Sequence, residues 1–171
     1  MAVPVINPGD VATSAIANKW FLPIAVVKPS DTGRISDTTQ APDPDLVIPL
    51  LANSTYEVDM VLFYDGGAGG SPNEGDIRYT FTIPSGASGQ IATARQDTSG
   101  DFVGAGAYNW TDSVVAQTVG VGTILCIPIK GYLIIGGTAG NLTFEWAQAT
   151  SASGANTHVK AGSYMVARRI A

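Results

Sequence analysis

The sequence predicts an all-β protein, a jelly roll or β-sandwich, on three observations. Apolar residues recur with a period of two in several separate stretches, and glycine-rich segments separate those stretches. The 20 Gly and 10 Pro together make 30 of 171 residues. Side chains on a strand point alternately to opposite faces, so period-two runs are half-buried strands over one core. That much Gly and Pro disfavours long helices.

The chain divides into an N-terminal arm and loop, residues 1–45, and a β domain, residues 46–171. In the arm, Asp10 is placed to cap a short helix over residues 10–18, its carboxylate accepting from the first free backbone amides. Trp20 to Val27 is apolar and β-branched, and Pro23 within it suits an edge strand or a bulge. Lys28 to Pro44 is polar, with Pro29, Pro42 and Pro44, and reads as loop. Beyond it, Tyr56, Val58, Met60, Leu62 and Tyr64 share one strand face, with Glu57 and Asp59 on the other. Ile77, Tyr79, Phe81 and Ile83 alternate with Arg78, Thr80 and Thr82, and Leu142, Phe144 and Trp146 alternate with Thr143 and Glu145. Tyr164 and Val166 alternate with Met165 and Ala167 in a last strand. Leu46–Leu51 and Ile124–Ile129 are apolar at nearly every position, which suits strands buried on both faces or covered by another subunit. Asp65–Pro72, Pro84–Gly89, Gly104–Gly106 and Gly136–Gly140 are expected to be turns and connections.

Charge narrows the function classes. Fourteen acidic against nine basic residues leave a net charge of −5, so neither nucleic acid nor an anionic membrane is an expected partner. No apolar run is long enough for a helical membrane span, and the opening residues lack the basic stretch of a secretory leader. Charged residues are 13% of the chain, about half the ~25% of ordinary soluble domains. Runs such as Gly131–Ile135 have few charges around them and would be aggregation-prone in a lone molecule. The expectation is a homo-oligomer that buries them between copies. The single cysteine, Cys126, lies in an apolar run and reads as an inert core filler.

No arrangement of residues supports an enzyme, a metal or a cofactor. The only histidine, His158, lacks a presented nucleophile such as Gly-x-Ser-x-Gly supplies, and reads as a surface residue at a loop–strand junction. One His and one Cys do not make a zinc site. Asp97 with Asp101, and Asp43 with Asp45, bring carboxylates together as calcium requires, but without its loop pattern, and read as turn residues. Glu57 and Asp59 lie two apart on one strand, a solvated face rather than an opposed glycosidase pair. No phosphate-binding loop is present. The Asn-x-Ser/Thr triplets at Asn53, Asn109 and Asn141 are coincidental in so Ser/Thr-rich a chain. Trp146 falls at an inward strand position, whereas Tyr108 and Trp110, beside a Gly-rich stretch, are the candidates for surface recognition.

The C-terminal stretch from Gly140 to Arg169 carries Leu142-Thr-Phe-Glu-Trp-Ala-Gln148, a Ser/Thr-rich loop, and Ala161-Gly-Ser-Tyr164 ahead of Arg168 and Arg169. Together with Lys28-Pro-Ser-Asp-Thr32, Pro42-Asp-Pro-Asp-Leu46 and Ala52-Asn-Ser-Thr-Tyr-Glu-Val58, it resembles small structural proteins of tailed bacteriophages, particularly those of actinobacteria. The resemblance implies a trimeric jelly roll of the tumour-necrosis-factor-like type, assembled in the host cytoplasm and carried in the virion. It implies either a head decoration protein bound to the major capsid protein or a minor tail protein contacting tail proteins and the host surface. It transfers no catalytic residues. The short chain, without a fibrous shaft, favours the head, with Trp20 and Phe21 as apolar anchors of the arm. A carbohydrate-binding module using Trp110 is a third reading.

Overall fold

The computed structural model describes residues 22–67, 75–96, 102–151 and 153–171. They form strands β1 (Ile24–Val27), β2 (Thr32–Ile35), β3 (Ala41–Leu50), β4 (Ser54–Gly66), β5 (Ile77–Thr82) and β6 (Ser88–Gln96). These are followed by β7 (Phe102–Asn109), β8 (Val114–Ala116), β9 (Gly120–Ile135), β10 (Gly140–Gln148), β11 (Asn156–Val159) and β12 (Tyr164–Arg169). The architecture follows from one long antiparallel ribbon, in which β6 pairs with β7, β5 with β8, β4 with β9 and β3 with β10. Wrapping that ribbon sends alternate pairs into opposite sheets and creates the lateral pairings β6·β9 and β5·β10. The result is a jelly roll. Its smaller sheet runs β3-β10-β5-β8 and its larger one β1-β12-β4-β9-β6-β7, with β11 joined to β4 and β2 to β11.

The core lies between the sheets and is drawn from the period-two positions. Tyr56, Met60, Leu62 and Tyr64 of β4, Tyr79 and Phe81 of β5, and Leu142, Phe144 and Trp146 of β10 are all buried. Phe81 meets Trp110 edge-on at 5.1 Å and Phe144 at 5.5 Å between ring centroids, contacts worth about 0.5–1.5 kcal/mol each beyond burial. Gly131 of β9 lies opposite Ile91 of β6. A Cβ there would lie 2.4 Å from the Gln90 carbonyl oxygen, so only glycine lets the two backbones come so close.

Four expectations are corrected. Residues 28–44 contain β2 and the start of β3 where a loop was expected, because β11 and β10 offer them backbone partners. Gly104–Gly106 lies within β7 rather than in a connection, paired to β6. Of the two readings of the apolar segments Leu46–Leu51 and Ile124–Ile129, burial on both faces is overturned, since each is buried on one face only, with Pro49, Ile124 and Pro128 exposed. Cys126, expected in the core, is exposed on β9. The alternation of β9 turns Ile127 and Ile129 inward and so Cys126 outward, on a stretch beyond Ile129 where pairing with β6 has stopped, next to Pro128, which has no N–H to continue a ladder. Among the described residues the first half of β9 is therefore paired only with β4. The Asp10 helix lies outside the described residues.

Candidate functional site

The outward face of the larger sheet carries large apolar residues beside a few charges. Register places Val27, Tyr164, Val61 and Pro128 in one row across β1, β12, β4 and β9. The next row is Ala25, Val166, Asp59, Lys130, Ala92 and Ala107, reaching β6 and β7. A third contains Arg168, Glu57, Tyr132 and Gln90. Large apolar side chains stay in water here: Val27 is 61% exposed, Ile124 56%, Tyr132 45% and Ile134 45%. Beside them an open groove of about 580 Å³ runs over Gly131, between Ala92, Ala107, Tyr132 and Ile170.

Charges on this face are internally matched. Lys130 Nζ lies 3.1 Å from Glu57 Oε1 and 3.3 Å from Asp59 Oδ1, and Arg168 donates to Glu57 Oε2. The Arg168 and Lys130 donors hold the Glu57 carboxyl below its ordinary value, and the same carboxylates raise the Lys130 ammonium. Two cations thus face two anions, so the patch bears no net charge to repel a second copy. Glu57 and Asp59, expected on a solvated face, do point outward, half-buried by these partners.

The sequence candidates separate. Trp20 and Phe21 lie outside the described residues. Tyr108 is half-buried against the core on β7. Trp110, the candidate for surface recognition, is instead 1% exposed. Its ring packs on Phe81 and its Nε1–H donates to the Tyr132 carbonyl oxygen at 2.8 Å, which satisfies its one polar atom inside the sandwich. Trp146 is in the core, as its inward position requires.

Two ionic clusters were not read from the sequence. His158, half-buried on β11, places Nδ1 2.6 Å from Asp65 Oδ1, and Lys160 bridges Asp65 and Asp31. Asp65 also accepts from the Gly122 amide at 3.1 Å, tying the start of β9 to β4 and β11. The second cluster is deeper. Lys28, following β1, buries its ammonium 2.9 Å from both oxygens of Asp43 and 2.9 Å from Asp45 Oδ2. Both the Lys28 and Asp43 side chains have no exposed surface. Asp43 further accepts from Trp146 Nε1 at 3.2 Å and from the Asp45 amide at 3.1 Å. The Arg34 guanidinium covers the Trp146 ring 4.4 Å from its centroid. Asp43 and Asp45, expected as turn residues, lie instead on β3 and hold an ammonium group. The other such pair, Asp97 and Asp101, lies outside the described residues. Among the described residues no three His, Cys, Asp or Glu side chains converge as a metal site.

No protein-family model matches the chain, and no curated protein matches it. Among solved structures it is similar to that of the Gx strain of infectious bursal disease virus, at 11% identity over 98% of this chain and 44% of that one, with a TM-score of 0.22. It is also similar to a mutant VP2 protein of infectious bursal disease virus in derived T=1 particles, at 14% identity over 98% of this chain and 43% of that one, with a TM-score of 0.20. The chain spans less than half the length of these solved chains.

Proposed function

We propose that the protein is a virion structural subunit of a tailed bacteriophage, a homotrimeric decoration protein that binds the outer surface of the head and stabilises it. The observation that carries this reading is the charge-balanced, apolar outward face of the larger sheet, with Val27, Ile124, Tyr132 and Ile134 in water. Burying such a face between copies contributes ~25 cal/mol per Å² of apolar area before association costs. The sequence resemblance to small phage structural proteins, and the jelly-roll connectivity that it implied, support the same role. Cohesion of this kind needs no catalytic group. Attachment to the capsid falls to the segment ahead of β1, with Trp20 and Phe21 as its apolar anchors. One trimer would carry three such segments, so weak contacts add to a stable attachment. The carbohydrate-binding alternative loses its main support, since Trp110 is buried and presents no ring for stacking.

The test is electron microscopy of gold-labelled protein added to undecorated capsids and to separated tails. Regular labelling of capsids by the full chain, lost when residues 1–21 are removed but with the trimer retained, is the expected result. Labelling confined to tails would move the protein to the adsorption apparatus and overturn the decoration role.

A further inference from the structure

The structure assigns a covalent modification to the buried Lys28–Asp43 pair: we propose that Lys28 Nζ and the Asp43 carboxyl condense to an intramolecular amide, with Asp45 carrying the protons. Three features of the geometry support it. Nζ is equidistant, at 2.9 Å, from both Asp43 oxygens, which puts the carboxyl carbon roughly 3 Å away, the separation from which an amine can add to it. Two fixed donors already address that carboxyl, Trp146 Nε1–H on Oδ2 and the Asp45 N–H on Oδ1. They are positioned to stabilise the negative charge that develops on oxygen when nitrogen adds to the carbon. A second carboxylate, Asp45 Oδ2, touches the same nitrogen at 2.9 Å and is itself 29% exposed, which gives the protons a carrier and the released water a route outward.

The step balances without an added reagent. The Lys28 ammonium gives one proton to Asp45, which relays it to Asp43, leaving a neutral amine facing a neutral carboxylic acid. The nitrogen lone pair forms the C–N bond, and the resulting oxyanion rests on the Trp146 or Asp45 N–H. Asp45 takes a second proton from nitrogen and returns it to the departing hydroxyl. The C–O bond breaks and one water leaves. In water an ammonium and a carboxylate do not condense, because hydration favours the ions. With both side chains fully buried, hydration is lost and the ions are the costly form, whereas the amide carries no charge.

The product would join the larger sheet to the smaller one. Lys28 is fixed to the turn that leads into β12 by its own backbone, its N–H donating to the Ser163 carbonyl at 2.8 Å and its carbonyl accepting from Gly162 at 2.9 Å. Asp43 belongs to β3 of the opposite sheet. The new bond would close a ring containing β2 and resist separation of the two sheets, a property suited to a protein held under mechanical load.

Intact-mass spectrometry of the full-length protein decides the matter. The expected mass is lighter than the sequence by one water, and tryptic cleavage after Arg34 should leave the Lys28 and Asp43 peptides joined. Lys28→Met and Asp43→Ala should restore the full mass, and Asp45→Asn should lower the linked fraction. A wild-type mass equal to the sequence, or a missing water with the two peptides separate, as a succinimide would give, overturns the proposal. Full linkage in Asp45→Asn would overturn the role given to Asp45.

Discussion

Two groups of charge in this molecule are built from the same parts and differ in where they sit. On the outward face of the larger sheet, Lys130 and Arg168 meet Glu57 and Asp59, with the Lys130 side chain 65% and the Arg168 side chain 62% exposed. Between the sheets, Lys28 meets Asp43 and Asp45 with no exposure of Lys28 or Asp43. Surface pairs gain little, since water competes for each charge and salt screens the attraction. Buried pairs are expensive to form and more expensive to break, because a deserted partner has neither water nor counter-charge. The outer group therefore serves to make a face neutral, and the inner one to fix the sheets relative to each other. Burial, rather than residue type, divides the roles.

The inner group offers the largest test of that division. Lys28→Met removes the amine, and with it both the ionic contacts and the proposed linkage, and leaves two carboxylates facing each other inside the sandwich, which should destabilise the fold by at least about 3–5 kcal/mol, read from urea unfolding. A loss no larger than that of a surface substitution would mean that water reaches the site and that the contrast is wrong. Replacing Asp43 by Leu as well removes the stranded charge, so the double variant should recover part of the loss.

On the outer face the expected effect lies in assembly and not in folding. Ile124→Lys or Tyr132→Lys places a charge on the apolar outward face without touching the core. Monomer stability should change by no more than about 0.5 kcal/mol, the range of ordinary surface changes. Sedimentation should nevertheless show smaller species than for the wild-type chain. Unchanged sedimentation in both variants would remove this face as the site of self-association.

The same contrast explains what could be read from the sequence. The one-sided strands were legible because β4, β5 and β10 keep an unbroken period of two, and their buried sets, Tyr56 to Tyr64, Ile77 to Phe81 and Leu142 to Trp146, are the ones that the pattern marks. The Lys28 site was not legible, because a bulge inverts the register that would locate it. On β3, Leu46, Ile48 and Leu50 point inward, and continuing that alternation backward puts Asp43 and Asp45 outside. In the fold, Thr143 lies opposite Val47 but Glu145 lies opposite Pro42, so β3 holds extra residues there and Asp43 turns to the interior. Pro42 and Pro44, with no N–H groups for the ladder, make that departure inexpensive. Trp110 failed for a different reason: a gapped, Gly-flanked segment has no period, and only the approach of Phe81 and the Tyr132 carbonyl determines that its ring points inward.

The finest test compares two carboxylates by their pH response. Arg168 and Lys130 hold the Glu57 carboxyl below its ordinary value. The folded state therefore binds that proton less readily than the unfolded one, and Glu57 contributes stability above the ordinary glutamate range. That contribution is lost as pH falls from the ordinary value through the lower folded one. Asp76 behaves oppositely. It is buried beside Thr118, whose N–H donates to Oδ1 at 2.8 Å, while Oδ2 has no partner among the described residues. Burial raises its carboxyl above the ordinary value, so its charge weakens the fold at neutral pH, and protonation relieves the penalty as pH falls through the raised value. Thermal melts at a series of pH values should separate the two. Glu57→Gln should remove part of the loss of stability on acidification, whereas Asp76→Asn should remove an opposing gain and make that loss steeper. Added salt should shrink the Glu57 effect, because its partners are in water, and leave the Asp76 effect nearly unchanged, because its cause is burial and not a neighbouring charge. Equal sensitivity to salt would mean that both groups are governed by surface charge and that burial does not distinguish them.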